Sequence, residues 1–256
     1  MAKRAFDDGR IFGVTHGTAP FRVLALPGWL HQASDFDTVL GGLRPGAGAV
    51  ALDLPGFGGA TPEPATALGS AGYAELVAPV LGELEPPVVL LGHSFGGRVA
   101  VHLAATHPGS VRALVLTGVP GLVRRTGPRA KAPLGFRVAK ALHRVGLLSD
   151  AKMERQRRTH GSADYRNAPS PLMRDVLVKV TNEDYEDQLR AITCPVELVY
   201  GERDTAATPE MARRAADVLG AGRATLTVLA GVDHFTPTRA PEALRDAIAR
   251  HLPPTP

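Results

Sequence analysis

Gly92-His93-Ser94-Phe95-Gly96-Gly97 follows directly on the apolar run Val88-Val89-Leu90-Leu91 and directly precedes a helix-forming stretch. A serine at the centre of G-x-S-x-G, on a sharp strand-to-helix turn, is set up as a nucleophile. Such a turn crowds the residues two before and two after the serine. A side chain at Gly92 or Gly96 would therefore strike neighbouring backbone. The helix that follows aims its free N–H groups and its positive end at the serine oxygen, which favours a developing oxyanion there.

A serine hydroxyl needs a base, and the base needs a carboxylate to hold it. Nine histidines compete for the base role. His93 adjoins the serine and is expected to point away from it, while His102, His107, His143, His160 and His251 fall in helical stretches or at their ends. His16 and His31 lie in expected loops and remain competitors to His234. His234 follows a strand end in a Gly-containing loop and is the preferred base. Three carboxylates lie near strand ends. Asp233 adjoins the base and would struggle to reach its far nitrogen, and Glu202 lies earlier in its turn, so Asp204 is preferred and Glu202 is second.

The elements that must position these groups show in the pattern of the chain. Short apolar runs at Phe21–Leu26, Ala49–Leu54, Val88–Leu91, Leu114–Leu116, Val196–Tyr200 and Thr225–Leu229 alternate with longer amphipathic stretches. The stretches lie near Asp37–Leu43, Gly72–Leu84, Phe95–His107, Pro209–Leu219 and Pro241–His251. This alternation predicts an α/β fold, a parallel sheet wound with helices, and most runs lack in/out alternation because both sheet faces are covered. Ile11–Val14 is expected as an extra edge strand. Residues 119–194, 76 in all, separate the strand ending near Gly118 from the next at Pro195. Their amphipathic patterns, Leu134-Val138-Leu142-Val145 and Leu172-Met173-Val176-Leu177-Val180, predict a helical insertion over the strand ends, where open α/β sheets bind ligands.

At the serine turn the chain resembles the α/β-hydrolase superfamily, and the resemblance extends over nearly its whole length. Leu26-Pro27-Gly28-Trp29 is similar to the family's oxyanion loop and Asp53-Leu54-Pro55-Gly56-Phe57-Gly58 to its D-L-P-G-x-G turn. Tyr200-Gly201-Glu202-Arg203-Asp204 resembles the acid turn, and Gly231-Val232-Asp233-His234-Phe235 the histidine loop. The family's order of serine, acid, histidine becomes Ser94, Asp204, His234. The resemblance implies an α/β-hydrolase fold, with a mostly parallel sheet flanked by helices and a helical cap inserted after the sixth strand. The core would span 1–121 and 188–256 and the cap 122–187. It also implies an oxyanion hole made by the backbone N–H groups of Trp29 and Phe95. Many members have His-Gly where this chain has Pro27-Gly28, yet Trp29 still offers its amide. Serine at position 94 argues against the branches that use aspartate there.

The expected activity is hydrolysis of a carboxylic ester or thioester of a small to medium acyl group through an acyl-enzyme. Apolar faces of the insertion are expected to line a pocket against Trp29, Phe57 and Phe95. The superfamily's carbon–carbon bond hydrolases and cofactor-free perhydrolases, and a non-enzymatic ligand sensor that keeps the fold, are the alternatives. No zinc-ligand spacing, Walker loop or dinucleotide fingerprint appears, so neither metal nor cofactor is expected.

The composition agrees with such a protein. The 256 residues, 44% hydrophobic and 21% charged, are globular in character. Aromatics at 5% are too few for a nucleic-acid stacking platform. The single Cys194 excludes an internal disulfide and reads as an apolar filler at a strand start. No apolar run is long enough to span a membrane. The start MAKRAFDDGR has aspartates where a signal peptide would be apolar, so the cytoplasm is the expected location. The basic excess is local: residues 122–187 hold 14 Lys/Arg against 8 Asp/Glu, and residues 122–160 hold 11 against 2. An anionic substrate or carrier would suit that segment, and a solvated outer face is the simpler reading.

Overall fold

The computed structural model describes residues 1–124 and 134–254. In chain order its elements begin with β1 (Ala2–Phe6), β2 (Ile11–His16), β3 (Phe21–Leu26), α1 (Asp37–Gly41), β4 (Gly48–Asp53), α2 (Ser70–Leu81), β5 (Val88–His93), α3 (Ser94–Thr106) and β6 (Val111–Thr117). They continue with α4 (Leu134–Arg144), α5 (Asp150–His160), α6 (Ala163–Asn167), α7 (Pro171–Thr181) and α8 (Glu186–Ala191). The chain then returns to β7 (Val196–Gly201), α9 (Pro209–Leu219), β8 (Ala224–Leu229), α10 (Thr236–Arg239) and α11 (Pro241–Ala249).

The strands form one eight-stranded sheet in the order β1-β2-β4-β3-β5-β6-β7-β8. From β4 to β8 every pairing is parallel, and β2 runs antiparallel to both β1 and β4. Alternate residues of the central strands leave in opposite directions. Leu24, Leu26, Val50, Leu52, Leu90 and Leu114 face α2, α3 and α9, while Val23, Ala25, Ala49, Ala51, Val89 and Val115 face α1 and α11. Both faces are buried, which is why these strands read as unbroken apolar runs.

Three details differ from the sequence-based expectation. Ile11–Val14 belongs to a longer strand that lies inside the sheet between β1 and β4, and the edge is β1. Ala2–Phe6 reads as a polar terminus because an edge strand leaves its charged side chains in solvent. His16 closes that longer strand instead of lying in a loop, and it is buried. The helices α4–α8 occupy the segment between β6 and β7. Only one of its two apolar patterns faces inward. Met173, Val176, Leu177 and Val180 of α7 are buried, whereas Leu134, Val138 and Leu142 of α4, and Val145 just beyond it, are exposed. Arg125, Arg129 and Lys131, part of the basic excess, lie outside the described residues. Among the described residues no helix is long and apolar enough to cross a membrane.

Candidate active site

Ser94 opens α3 with φ +49°, a left-handed conformation unusual for a residue with a side chain. The strain persists because its surroundings leave no alternative. A Cβ on Gly92 would meet the Gly97 backbone 2.5 Å away, and one on Gly96 would collide with the carbonyls of Leu26 and Pro27. The serine turn thus packs directly on the loop that carries Trp29. That loop holds a second strained residue, Leu30 at φ +62°, in a turn closed by the His31 N–H to the Gly28 carbonyl at 3.1 Å.

The structure brings Ser94, His234 and Asp204 together from three separate strand ends. His234 Nε2 lies 3.2 Å from Ser94 Oγ, and its Nδ1 lies 2.7 Å from Asp204 Oδ2. An ionised carboxylate only accepts, so Nδ1 carries the ring proton and Nε2 is left to accept from the serine hydroxyl. The Asp204 side chain is fully buried. Its other oxygen accepts the N–H groups of Ala206 and Ala207, each at 2.8 Å, which fixes its direction.

The competitors are engaged elsewhere. Glu202 accepts from the Gly231 N–H at 2.9 Å, and Asp233 accepts from the Phe235 N–H at 3.0 Å. His31 Nδ1 pairs with Asp35 at 2.5 Å, and His16 Nε2 faces Asp37 at 3.3 Å. Phe95 is the second residue of α3, so no carbonyl of its own helix can receive its N–H. The Trp29 N–H also has no acceptor among the described residues. These two amides are the donors an oxyanion beside Ser94 could use.

A cavity of about 70 Å³ lies beside Ser94 and is lined by Trp29, Phe95, Arg98, Leu177 and Val180, among others. Phe57 is not among its lining residues and packs behind it. The rings of Trp29 and Phe57 meet edge to face at 4.9 Å, and those of Trp29 and Phe95 at 5.6 Å. The indole N–H of Trp29 is buried and has no partner among the described residues.

Two contributors escape sequence reasoning. His93 lines a different cavity from Ser94, yet it serves the site: its Nε2 donates to the His234 carbonyl at 3.0 Å. Burial and the neighbouring His234 ring push its pKa down to about 3, so it stays a neutral donor. Nothing in the local pattern announces this contact, which spans 141 positions. Arg98 is buried and donates to the Val180 carbonyl of α7 at 2.5 Å and to the Pro120 carbonyl at 2.9 Å, tying the serine helix to the inserted helices. Here the sequence does hold a signal, a lone charge in the apolar stretch Gly96-Gly97-Arg98-Val99-Ala100-Val101. Among the described residues no group of His, Cys, Asp or Glu is placed to hold a metal ion.

Comparison with known proteins identifies the family. The family model described as "Alpha/beta hydrolase family" matches residues 23–247. Esterase Rv0045c of Mycobacterium tuberculosis is 32% identical over 235 residues, covering 80% of this chain and 74% of the relative. A pimeloyl-[acyl-carrier protein] methyl ester esterase of Chromobacterium violaceum is 31% identical over 236 residues, covering 83% of each. The crystal structure of a putative lipase from Acinetobacter baumannii superposes with a TM-score of 0.72 at 16% identity, over 97% of this chain and 90% of that one, a likeness of fold.

Proposed function

Because the chain belongs to the alpha/beta hydrolase family and is a hydrolase akin to carboxylic ester esterases, we propose that it cleaves a carboxylic ester or thioester through Ser94, His234 and Asp204. The observation that carries this reading is the continuous relay from Ser94 Oγ through the imidazole to a buried carboxylate. His234 takes the serine proton as the hydroxyl oxygen attacks the acyl carbon. Asp204 holds the useful tautomer and stabilises the imidazolium that forms. The amides of Phe95 and Trp29 receive the oxyanion, a stabilisation of about 3 kcal/mol per donor in comparable sites. His234 then returns the proton to the departing alcohol or thiol, and water, activated by the same imidazole, releases the acyl group. The cavity of about 70 Å³ beside Ser94 suits a short group on one side of the scissile bond. Helices α4–α7 act in this scheme as a cap, formed by the segment 122–187.

A fluorophosphonate probe should label the wild-type protein at Ser94 and leave the Ser94→Ala variant unlabelled. The same variant should lose several orders of magnitude of turnover on short-chain nitrophenyl esters while keeping its circular dichroism and melting temperature. Turnover near the wild-type level in a folded Ser94→Ala protein would defeat the reading.

A further inference from the structure

A second cavity, of about 730 Å³, lies not beside Ser94 but among the inserted helices. Its walls include Phe136, Lys140, His143, Arg144, Arg157 and His160, and among the described residues no Asp or Glu lines it. Leu177 and Thr181 belong both to this wall and to the wall of the small cavity at Ser94, so the two spaces adjoin across α7. Asp150 pairs with His143 at 2.7 Å, and Glu154 with Arg174 at 3.3 Å, Arg157 at 4.0 Å and Tyr165 at 2.8 Å, while Asp164 lines the small cavity at Ser94 rather than this one. Lys140 and Arg144 have no acidic partner among the described residues.

Those two cations stand four residues apart on α4, a spacing at which like charges repel and weaken the helix. The negative end of the helix dipole rewards Arg144 in the last turn but offers less to Lys140, a turn earlier. An unpaired cationic pair on the wall of a cavity that Arg157, 4.0 Å from Glu154, also lines is the donor set for an anion with several oxygens, above all a phosphate monoester. Building on the esterase reading above, we propose that this cavity binds the phosphate-bearing arm of the substrate. The bond to be cleaved then lies at Ser94, with a short group on its near side.

Butyrate monoesters of straight-chain diols with four to ten carbons, made with a free or a phosphorylated far hydroxyl, isolate the phosphate. At the arm length that joins the two cavities, phosphorylation should raise kcat/KM at least tenfold, and 0.5 M NaCl should erase the gain. In the Lys140→Gln/Arg144→Gln variant the ratio of phosphorylated to neutral ester should fall towards one, whereas Arg213→Gln on α9 should leave that ratio unchanged. Neutral esters cleaved in a Ser94-dependent way, with no phosphate gain at any length, would overturn the cavity assignment and leave the esterase reading standing. If no ester is cleaved, calorimetric binding of hexanediol monophosphate to the wild type, weakened in the double variant, would uphold the site by itself. No such binding would overturn it. Binding to phosphatidylglycerol vesicles without binding of the soluble phosphates would assign the cations to a lipid surface and likewise overturn the proposal.

Discussion

At the scale of the residue, the site depends on side chains that act through His234 as well as those that would touch substrate. The His234 ring is held at one nitrogen by Asp204, and its backbone is held by His93 Nε2 at 3.0 Å. Removing that donor leaves a carbonyl without its partner, a cost of about 1–3 kcal/mol where such a group is buried. His93→Ala should therefore lower kcat about tenfold with a smaller change in KM, because the imidazole loses its fixed approach to Ser94. His93→Gln, which keeps a donor, should recover part of the loss. Equal losses in the two variants would show that His93 serves only to fill space. The Ser94 and His234 positions are legible in the sequence because their chemistry requires particular residue types. The service of His93 is not, because a hydrogen bond to a distant carbonyl leaves no local pattern.

At the scale of the element, the serine helix and the Trp29 loop form a single packed unit. Gly96 lets the start of α3 sit against the carbonyls of Leu26 and Pro27, and this contact sets where the Phe95 and Trp29 amides stand relative to each other. Gly96→Ala should push that loop outward and misplace one of the two donors. Loss of a single oxyanion donor costs about 10²–10³ in kcat, so a fall of that order is expected with the far-ultraviolet circular dichroism retained. Wild-type turnover in Gly96→Ala would show that the contact does not set the donors. The same scale explains why α4 and α7 differ. Both carry apolar residues at helical spacing, yet Met173, Val176 and Leu177 are buried while Leu134 and Val138 remain in solvent. Periodicity identifies a helix and its apolar stripe, but it does not say whether the fold provides a surface for that stripe to cover.

At the scale of the whole molecule, folding buries imidazoles that prefer to be charged at mildly acidic pH. His93 is held down to about 3, chiefly by burial, and His16 and His102 are also lowered by burial. Each binds a proton more readily in the unfolded chain, so their contribution to stability is complete above about pH 6.5 and is lost as the pH falls towards the folded values. For His93 alone, the loss between pH 6.5 and pH 5 is about 2 kcal/mol. Urea unfolding should give a lower free energy at pH 5 than at pH 7.5, with a shallower dependence in His93→Gln, and an unchanged slope in that variant would remove His93 as the source. The sequence by itself determines the class of fold, the serine turn and the order of the proposed reacting residues. Apolar runs buried on both faces, glycines at a crowded turn and a nucleophile's partners are each dictated by residue type and local spacing. Tertiary structure alone decides that Ile11–His16 lies inside the sheet, that His93 braces the base, and that Lys140 and Arg144 look into a cavity adjoining the one at Ser94. Those facts depend on which distant segments meet, and close packing of the complete chain settles that where no short stretch of sequence can.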